Sequence, residues 1–295
     1  MLSHQFTYND FTFNGLADIQ SGNYASLVSV EGLSSPEIIH REDRLIGQHG
    51  IIDYYSFIGK RIITLEGAVI GKDETQMLAK LKELTDAFSI PAVPTAGRSG
   101  YANLIMSKSG QVSKMVSAKI NSLPRIEKTM HIHRMRRFFV EFRCEDPRII
   151  AVNPKTRTIQ RASNTTNLPH VLPMQLGVGT WSDEELVTNG GNFGALPRYR
   201  IYGKCTNPQI INLTYPDIQQ KFDITLEEGE YIDVDVKAGT AIKNDGQNVL
   251  VYESDESKWL NLLPSNNLLR LVTTEATDTG YIEMEWNDTW LSVPA

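Results

Sequence analysis

The sequence predicts a mainly β protein: an antiparallel β-sandwich with one packed helix, followed by a second β-sandwich. Three observations carry this. Turn signals recur along the whole chain, from Asn14-Gly15, Gly22-Asn23, Gly59, Gly71 and Gly110 to Asn189-Gly190, Gly203, Gly229, Gly239, Asp245-Gly246 and Gly280. Short segments rich in Val, Ile, Tyr and Phe lie between them, which is how strands bounded by turns read in sequence. Only one stretch keeps a helical period. A length of 295 residues accommodates two domains.

In chain order, KRIITLEGAVIG alternates between two faces, Ile62, Thr64 and Glu66 against Ile63, Leu65 and Gly67, as a half-buried strand must. DETQMLAKLKELTDAFSIP is the helix, expected over 74–89. Asp73 and Gln76 form a capping pattern, and Met77, Leu78, Leu81, Leu84 and Phe88 recur at helical spacing. Pro91 ends the run, and Lys80, Lys82, Glu83 and Asp86 are assigned to water. FVEFRC, Phe139 to Cys144, is a strand, with MVSAKINSLPRIEK as its antiparallel partner. AVNPKTRTIQRASNTTNLPH loses all hydrophobic period and is rich in Asn, Thr and Pro, which is linker composition. The expected division is therefore a first domain over 1–155, a linker over 156–168 and a second domain over 169–295. Strands in the latter are read from YRIYGKC, KFDITLEEGEYIDVDV, NVLVYE, NLLRLVTTEA and YIEMEW.

Composition narrows the function classes. No run approaches the roughly 18 apolar residues of a membrane helix, so no membrane insertion is expected, and the first residues carry no secretory pattern. Cys144 and Cys205 are the only cysteines and lie far apart, so no disulfide framework is expected. The net charge of −6 conceals an imbalance. Residues 1–160 hold 20 Lys and Arg against 16 Asp and Glu, while residues 161–295 hold 9 against 19. A surplus of +4 does not by itself make a nucleic-acid-binding module.

The stretch HIHRMRRFFVEFRCEDP, His131 to Pro147, concentrates most of the candidate chemistry. His131 and His133 would share a strand face, but zinc needs further ligands. His4, His40, His49 and His170 sit in unrelated segments, and no C-x-x-C exists; no metal and no cofactor are expected. Arg134, Arg136 and Arg137 form a basic cluster without the interleaved stacking aromatics of a nucleic-acid module. With His131 and His133 they are read as a solvated hairpin tip that contacts a neighbouring subunit or a lumen.

Asp233 and Asp235 lie in step on one strand. Two carboxylates on one strand face are usually the wet side of a sheet, whereas a glycosidase needs them facing across a cleft. Trp181, Trp259, Trp286 and Trp290 leave open a glycan-binding role, although Trp259 and Trp286 read as core. The chain has no G-x-S-x-G, H-E-x-x-H, phosphate-binding loop or G-x-G-x-x-G, so no catalytic residues are assigned and the chain reads as a binding or building protein.

These segments together resemble the distal tail proteins of long-tailed phages. The likeness runs through FTFNGL, GKRIITLEGAVIG, the capped helix and FVEFRCEDP in the first half. In the second it runs through NGGNFGALPRYRIYGKCTNPQIIN and YIDVDVKAGTAIKNDGQNVLVYESDESKWLNLLPSNNLLRL. One departure is Ser265, which stands where that family commonly has glycine. The resemblance implies a first domain with an extended hairpin that closes with its copies into a hexameric ring, and a galectin-like or carbohydrate-module-like second sandwich facing outward. It implies as partners the tail tube protein, the tail-tip hub protein and the tape-measure protein in the lumen, with receptor-binding or baseplate proteins docked outside. DNA would only pass through, without sequence-specific binding. The protein would belong to the virion tail tip and assemble in the host cytoplasm. A carbohydrate-binding adhesion module is the alternative reading, and a glycoside hydrolase built on Asp233 a remote one.

Overall fold

A computed structural model describes residues 4–44, 49, 51–89, 101–128, 133–161, 184–275 and 277–293. The chain divides into two units, Met1–Val152 with Trp290–Ala295, and Asn153–Thr289. The second unit is thus inserted in the first, and the chain's last residues return to the unit that opens it. The expected linker over 156–168 begins inside a strand of the second unit. A polar, aperiodic stretch can pair as an edge strand, and its composition does not betray that.

The first unit contains β1 (Gln5–Tyr8), β2 (Phe11–Phe13), α1 (Leu16–Ser21), β3 (Tyr24–Glu31), β4 (Ile38–Arg44), β5 (Ile51–Ile58) and β6 (Arg61–Ile70). It continues with α2 (Glu74–Ala87), β7 (Tyr101–Ser107), β8 (Lys114–Lys128), β9 (Met135–Cys144) and β10 (Ile149–Ala151). The main sheet runs in the order β2-β1-β7-β8-β9-β6-β3, with β10 beside β8. Among the described residues its neighbouring strands all pair antiparallel, and β6 pairs with β9 without interruption from Arg61↔Cys144 to Ile70↔Met135.

Alternation along β6 and β9 decides which face is buried. Ile63 and Leu65, with Phe138, Val140, Phe142 and Cys144, are all buried, as the period-two pattern requires. Gly67 sits in this layer because nothing larger fits. A Cβ there would lie 2.1 Å from the Ser26 carbonyl oxygen and 2.6 Å from the Phe138 ring.

Helix α2 covers this layer. The Asp73 side chain accepts from the Gln76 amide at 2.8 Å, so the predicted cap forms. Met77, Leu84 and Phe88 are fully buried. Phe88 lies 5.3 Å from Tyr8, 5.7 Å from Phe142 and 5.9 Å from Phe13 between ring centroids, an aromatic cluster. Two assignments to the helix faces change. Leu78 is half exposed, and the Lys80 ammonium bonds the Asp18 carboxylate at 2.9 Å. Asp18 belongs to α1, a six-residue helix too short to leave a sequence period.

Arg61, at the start of β6, is fully buried. Its guanidinium donates to the carbonyls of Pro147 (2.9 Å), Gly32 (2.6 Å), Leu33 (2.9 Å) and Leu291. One side chain thereby ties three chain segments to β6, including the returning C-terminal stretch. Val293 N–H donating to the Leu33 carbonyl completes the attachment.

The second unit contains β11 (Lys155–Gln160), β12 (Glu184–Asn189), β13 (Arg198–Tyr202), β14 (Cys205–Thr206), β15 (Gln209–Asn212) and β16 (Gln219–Lys221). Then come β17 (Thr225–Leu226), β18 (Tyr231–Asp235), β19 (Thr240–Lys243), β20 (Ser265–Val272) and β21 (Tyr281–Trp286), while β22 (Thr289–Trp290) leads back to the first unit. A five-stranded sheet, β11-β21-β13-β18-β19, and a four-stranded one, β12-β20-β15-β16, share one core. Ile201, Ile232, Val234 and Ile282 of the former meet Val187, Ile210, Leu269 and Leu271 of the latter. The segment NVLVYE is a 3-10 turn at Leu250–Tyr252 rather than a strand. The Asn248 side chain accepts from the Leu250 amide and bends the backbone there.

The asparagines of this unit serve as internal caps. Asn189 is fully buried, donating to the Phe193 and Leu262 carbonyls and accepting from the Gly191 and Thr289 amides. Asn267 bonds both backbone groups of Leu263 and the side chain of Asn212. Ser265 in that turn has φ 80°, so it keeps the left-handed shape that glycine adopts without strain.

Candidate assembly surface

Among the described residues of the first unit, the feature with the least support from the rest of the unit is the hairpin β4–β5. It forms a separate two-stranded sheet, paired from Ile38↔Ile58 to Arg44↔Ile51 with a bulge after Arg41. Its root is pinned where Gly59 N–H donates to the Glu37 carbonyl and Glu37 N–H to the Lys60 carbonyl. Direct cross-strand pairs share a face, which puts Ile39 and Phe57 with Arg41 and Tyr55 on one side. Tyr55 and Phe57 pack edge to face at 4.8 Å, and Arg41 Nη1 donates to the Tyr55 hydroxyl at 2.7 Å. Ile38, His40, Ser56 and Ile58 share the other side.

Ile38, Ile39, Tyr54, Tyr55, Phe57 and Ile58 are all exposed, Phe57 to 58% and Ile38 to 56%. A two-stranded ribbon has marginal stability in water by itself, and a contiguous apolar surface of this kind marks an interaction site. A residue pattern that would be core on any other strand is here turned to solvent on both faces.

The residues singled out from the sequence divide differently from expectation. His131 lies outside the described residues, as do His170 and Trp181. His133 and Arg134 are exposed, and Arg134 Nη1 donates to the Lys72 carbonyl at 3.1 Å. Arg136 and Arg137 are not in a tip: both stand in the ladder, opposite Lys128 and Glu127. Arg136 is buried to 8% exposure and faces Glu74 of α2 at 3.9 Å, so it packs inside its own unit. Arg137 points outward. The cluster therefore breaks at Arg136, whose place follows from the same alternation that buries Phe138. The hairpin arm had its own signal, the apolar alternation of IIH and YYSFI, but that pattern does not say which chain buries it.

In the second unit the outer face of the five-stranded sheet carries charge in rows. Register places Glu285, Arg198 and Asp235 side by side, then Glu283, Arg200 and Asp233. Asp233 accepts from Arg198 Nε at 2.9 Å and from Arg200 Nη2 at 2.9 Å. Burial pulls the Asp233 pKa up, but the two guanidiniums outweigh it and hold the carboxyl below its ordinary value. A general acid needs the opposite shift, so the carboxylate on which a hydrolase reading would rest is fixed as an anion. Tyr202 stacks on Tyr281 at 4.6 Å and lies tilted against Tyr231 at 5.6 Å, and Arg200 covers Tyr231 at 4.7 Å. Trp286 is buried, Trp259 packs against the core, and Trp290 belongs to the first unit. Burial pushes the Cys144 and Cys205 thiols up to about 12, far from a reactive thiolate. Among the described residues no cluster of three His, Cys, Asp or Glu is placed to hold a metal ion.

No protein-family model matches the chain, and no curated protein sequence matches it. Among solved structures, the Dit protein of phage SPP1 aligns over 96% of this chain and 98% of its own, at a TM-score of 0.60 and 14% identity. This chain has a Dit-like fold. The SPP1 protein is described as a paradigm of the hub adsorption apparatus in phages that infect Gram-positive bacteria. Two structures of the phage P2 baseplate in its activated conformation, with calcium and with strontium, align at 10% identity over 97% and 95% of this chain. They cover 98% and 97% of their own chains, and their TM-scores of 0.39 and 0.38 add nothing to the fold assignment.

Proposed function

We propose that this protein is a structural component of a phage tail tip, in which copies of the first unit close into a hexameric ring. The ring joins the tail tube to the tail-tip hub and leaves the second sandwich free to dock receptor-binding or baseplate proteins. The single observation that carries the reading is the β4–β5 arm, which exposes Ile39, Tyr55 and Phe57 on a ribbon its own chain does not cover. The Dit-like fold over nearly the full length supports it. A ring requires a heterologous contact, one patch meeting a different patch on the next copy, and an arm that stands off its domain supplies one half of such a contact.

Under this reading the protein works by position, without chemistry of its own, and resides in the virion. The test is the oligomeric state of the purified chain, with the arm residues Ile39, Tyr55 and Phe57 replaced together by Ser. Six copies should fall to one on that replacement. A wild-type chain that stays single at micromolar concentration, or a triple variant that still forms the ring, refutes the reading.

A further inference from the structure

We propose that the outer face of the five-stranded sheet in the second unit binds a neutral glycan; this goes beyond the tail-tip reading and does not need the ring. An open cleft of about 650 Å³ lies on that face, within the roughly 300–1,000 Å³ of small-ligand sites. Register lays the face out in rows. Thr158, Glu283, Arg200 and Asp233 stand in one, and Thr156, Glu285, Arg198 and Asp235 in the next. A third row, Gln160, Tyr281, Tyr202 and Tyr231, borders the first, two residues along the strands and so about 7 Å away.

Three features choose a neutral polyhydroxyl ligand. Charge is mixed: three arginines and four carboxylates line the cleft, and sign alternates from β21 to β13 to β18 in both charged rows. A polyanion and a polycation would each meet like charges there, whereas sugar hydroxyls both donate and accept and so bond guanidinium and carboxylate side by side. The polar groups are also fixed in advance. Asp233, with its side chain 20% exposed, accepts from Arg198 through both oxygens and from Arg200. Arg198 is 61% exposed, and among the described residues its Nη1 carries no bond. The Tyr202 hydroxyl donates to Glu283 at 3.0 Å. Side chains already held in place lose little freedom when a ligand arrives. Finally, the tyrosine row supplies an apolar surface with a polar rim, on which the C–H side of a sugar ring packs. Tyr281 is half-buried and stacks on Tyr202 with one face; among the described residues no ring or cation covers the other.

The experiment titrates the full chain with maltotriose, cellotriose, chitotriose and lactose, reading contact by saturation-transfer NMR and affinity by calorimetry, with dextran sulfate and polylysine as charged probes. At least one neutral sugar should bind. Tyr281→Ser and Arg198→Met should each weaken that binding about tenfold or more, as loss of a contact at the centre of a binding face does, with thermal midpoints confirming that each variant is folded. Tyr281→Phe, which keeps the ring, should bind as the wild type does. So should Leu186→Asp, because Leu186 is exposed on β12 of the other sheet. If none of the four sugars binds, or if Tyr281→Ser and Arg198→Met bind them undiminished, this face is not a glycan site. Binding of a charged probe alone, lost in Arg198→Met, overturns the proposal as well, because it assigns the face to a charged partner. None of these readings changes if the chain stays single, so failure of the ring and failure of this site are told apart.

Discussion

Replacing Arg61 by Met tests whether one buried cation holds the first unit together. The side chain is fully buried and gives its hydrogen bonds to four carbonyls. Hydrogen bonds from a charged group contribute about 1.5–3 kcal/mol each, and a buried acceptor left alone costs about 1–3 kcal/mol. The four share one donor group, so their losses do not add, and water reaching the vacated site relieves some of the carbonyls. A loss of about 3–5 kcal/mol is expected, the range for breaking a buried charged arrangement from one side. With a urea slope of about 2 kcal/mol per molar, the midpoint should fall by about 1.5–2.5 M. Because two units can unfold separately, the assay is hydrogen exchange of the β6 and β9 amides across a urea series, which reads the first unit alone. Arg61→Lys should lie between the two, since an ammonium cannot span four acceptors arranged around a planar fork. A midpoint for Arg61→Met within about 0.3 M of wild type would show that the four carbonyls are satisfied without the guanidinium, and would refute the reasoning.

Other expectations follow from the same geometry. Phe88→Ala should cost the first unit about 3–5 kcal/mol, as for other buried aromatic truncations, because it empties the centre of the cluster with Tyr8, Phe13 and Phe142; the same exchange assay reads it. Ser265→Gly should stabilise the second unit by about 0.5–1 kcal/mol by relieving a left-handed serine, seen as a higher thermal midpoint. Arg136→Ser should destabilise the first unit, whereas Arg134→Ser and Arg137→Ser should leave its melting temperature within about 1 °C, because only Arg136 is packed inside. Asp233 is held below its ordinary pKa, so its contribution is present above the unfolded carboxylate value of about 3.9 and is lost as pH falls through the lower folded value. Asp233→Asn should therefore lower stability at neutral pH and reduce the slope of stability against pH below about 4, checked by urea titrations at both ends.

Much of the fold could be read from local pattern. The period of two in RIITLEG and RFFVEFRC reports burial directly, since each strand hides one face, and the Asp73 cap with its Met77–Leu84–Phe88 stripe reports a helix on a sheet. Buried Asn189 and Asn267 lay in the segments whose resemblance suggested the family, and their hydrogen bonds explain why those short motifs hold their shape. What escaped depends on contacts distant in sequence. Nothing near Arg61 announces that carbonyls from Gly32, Pro147 and Leu291 will converge on it. The insertion of the second unit depends on Trp290 and Val293 returning to segments laid down far earlier in the chain. The expected contact site at His131–Arg137 followed charge density, but Arg136 is inward by strand phase. The resemblance implies an extended hairpin, but the residues do not locate it, because apolar alternation has one spelling for burial within a chain and for burial between chains.

The proposed ring requires that copies of this chain meet through the β4–β5 arm around a closed circle. The most direct measurement is the mass and projected shape of the purified full-length chain at micromolar concentration, by mass photometry and negative-stain electron microscopy. Six-chain particles with a central opening, collapsing to single chains when Ile39, Tyr55 and Phe57 become Ser, are the predicted result. Wild-type particles of one chain with no opening would contradict it.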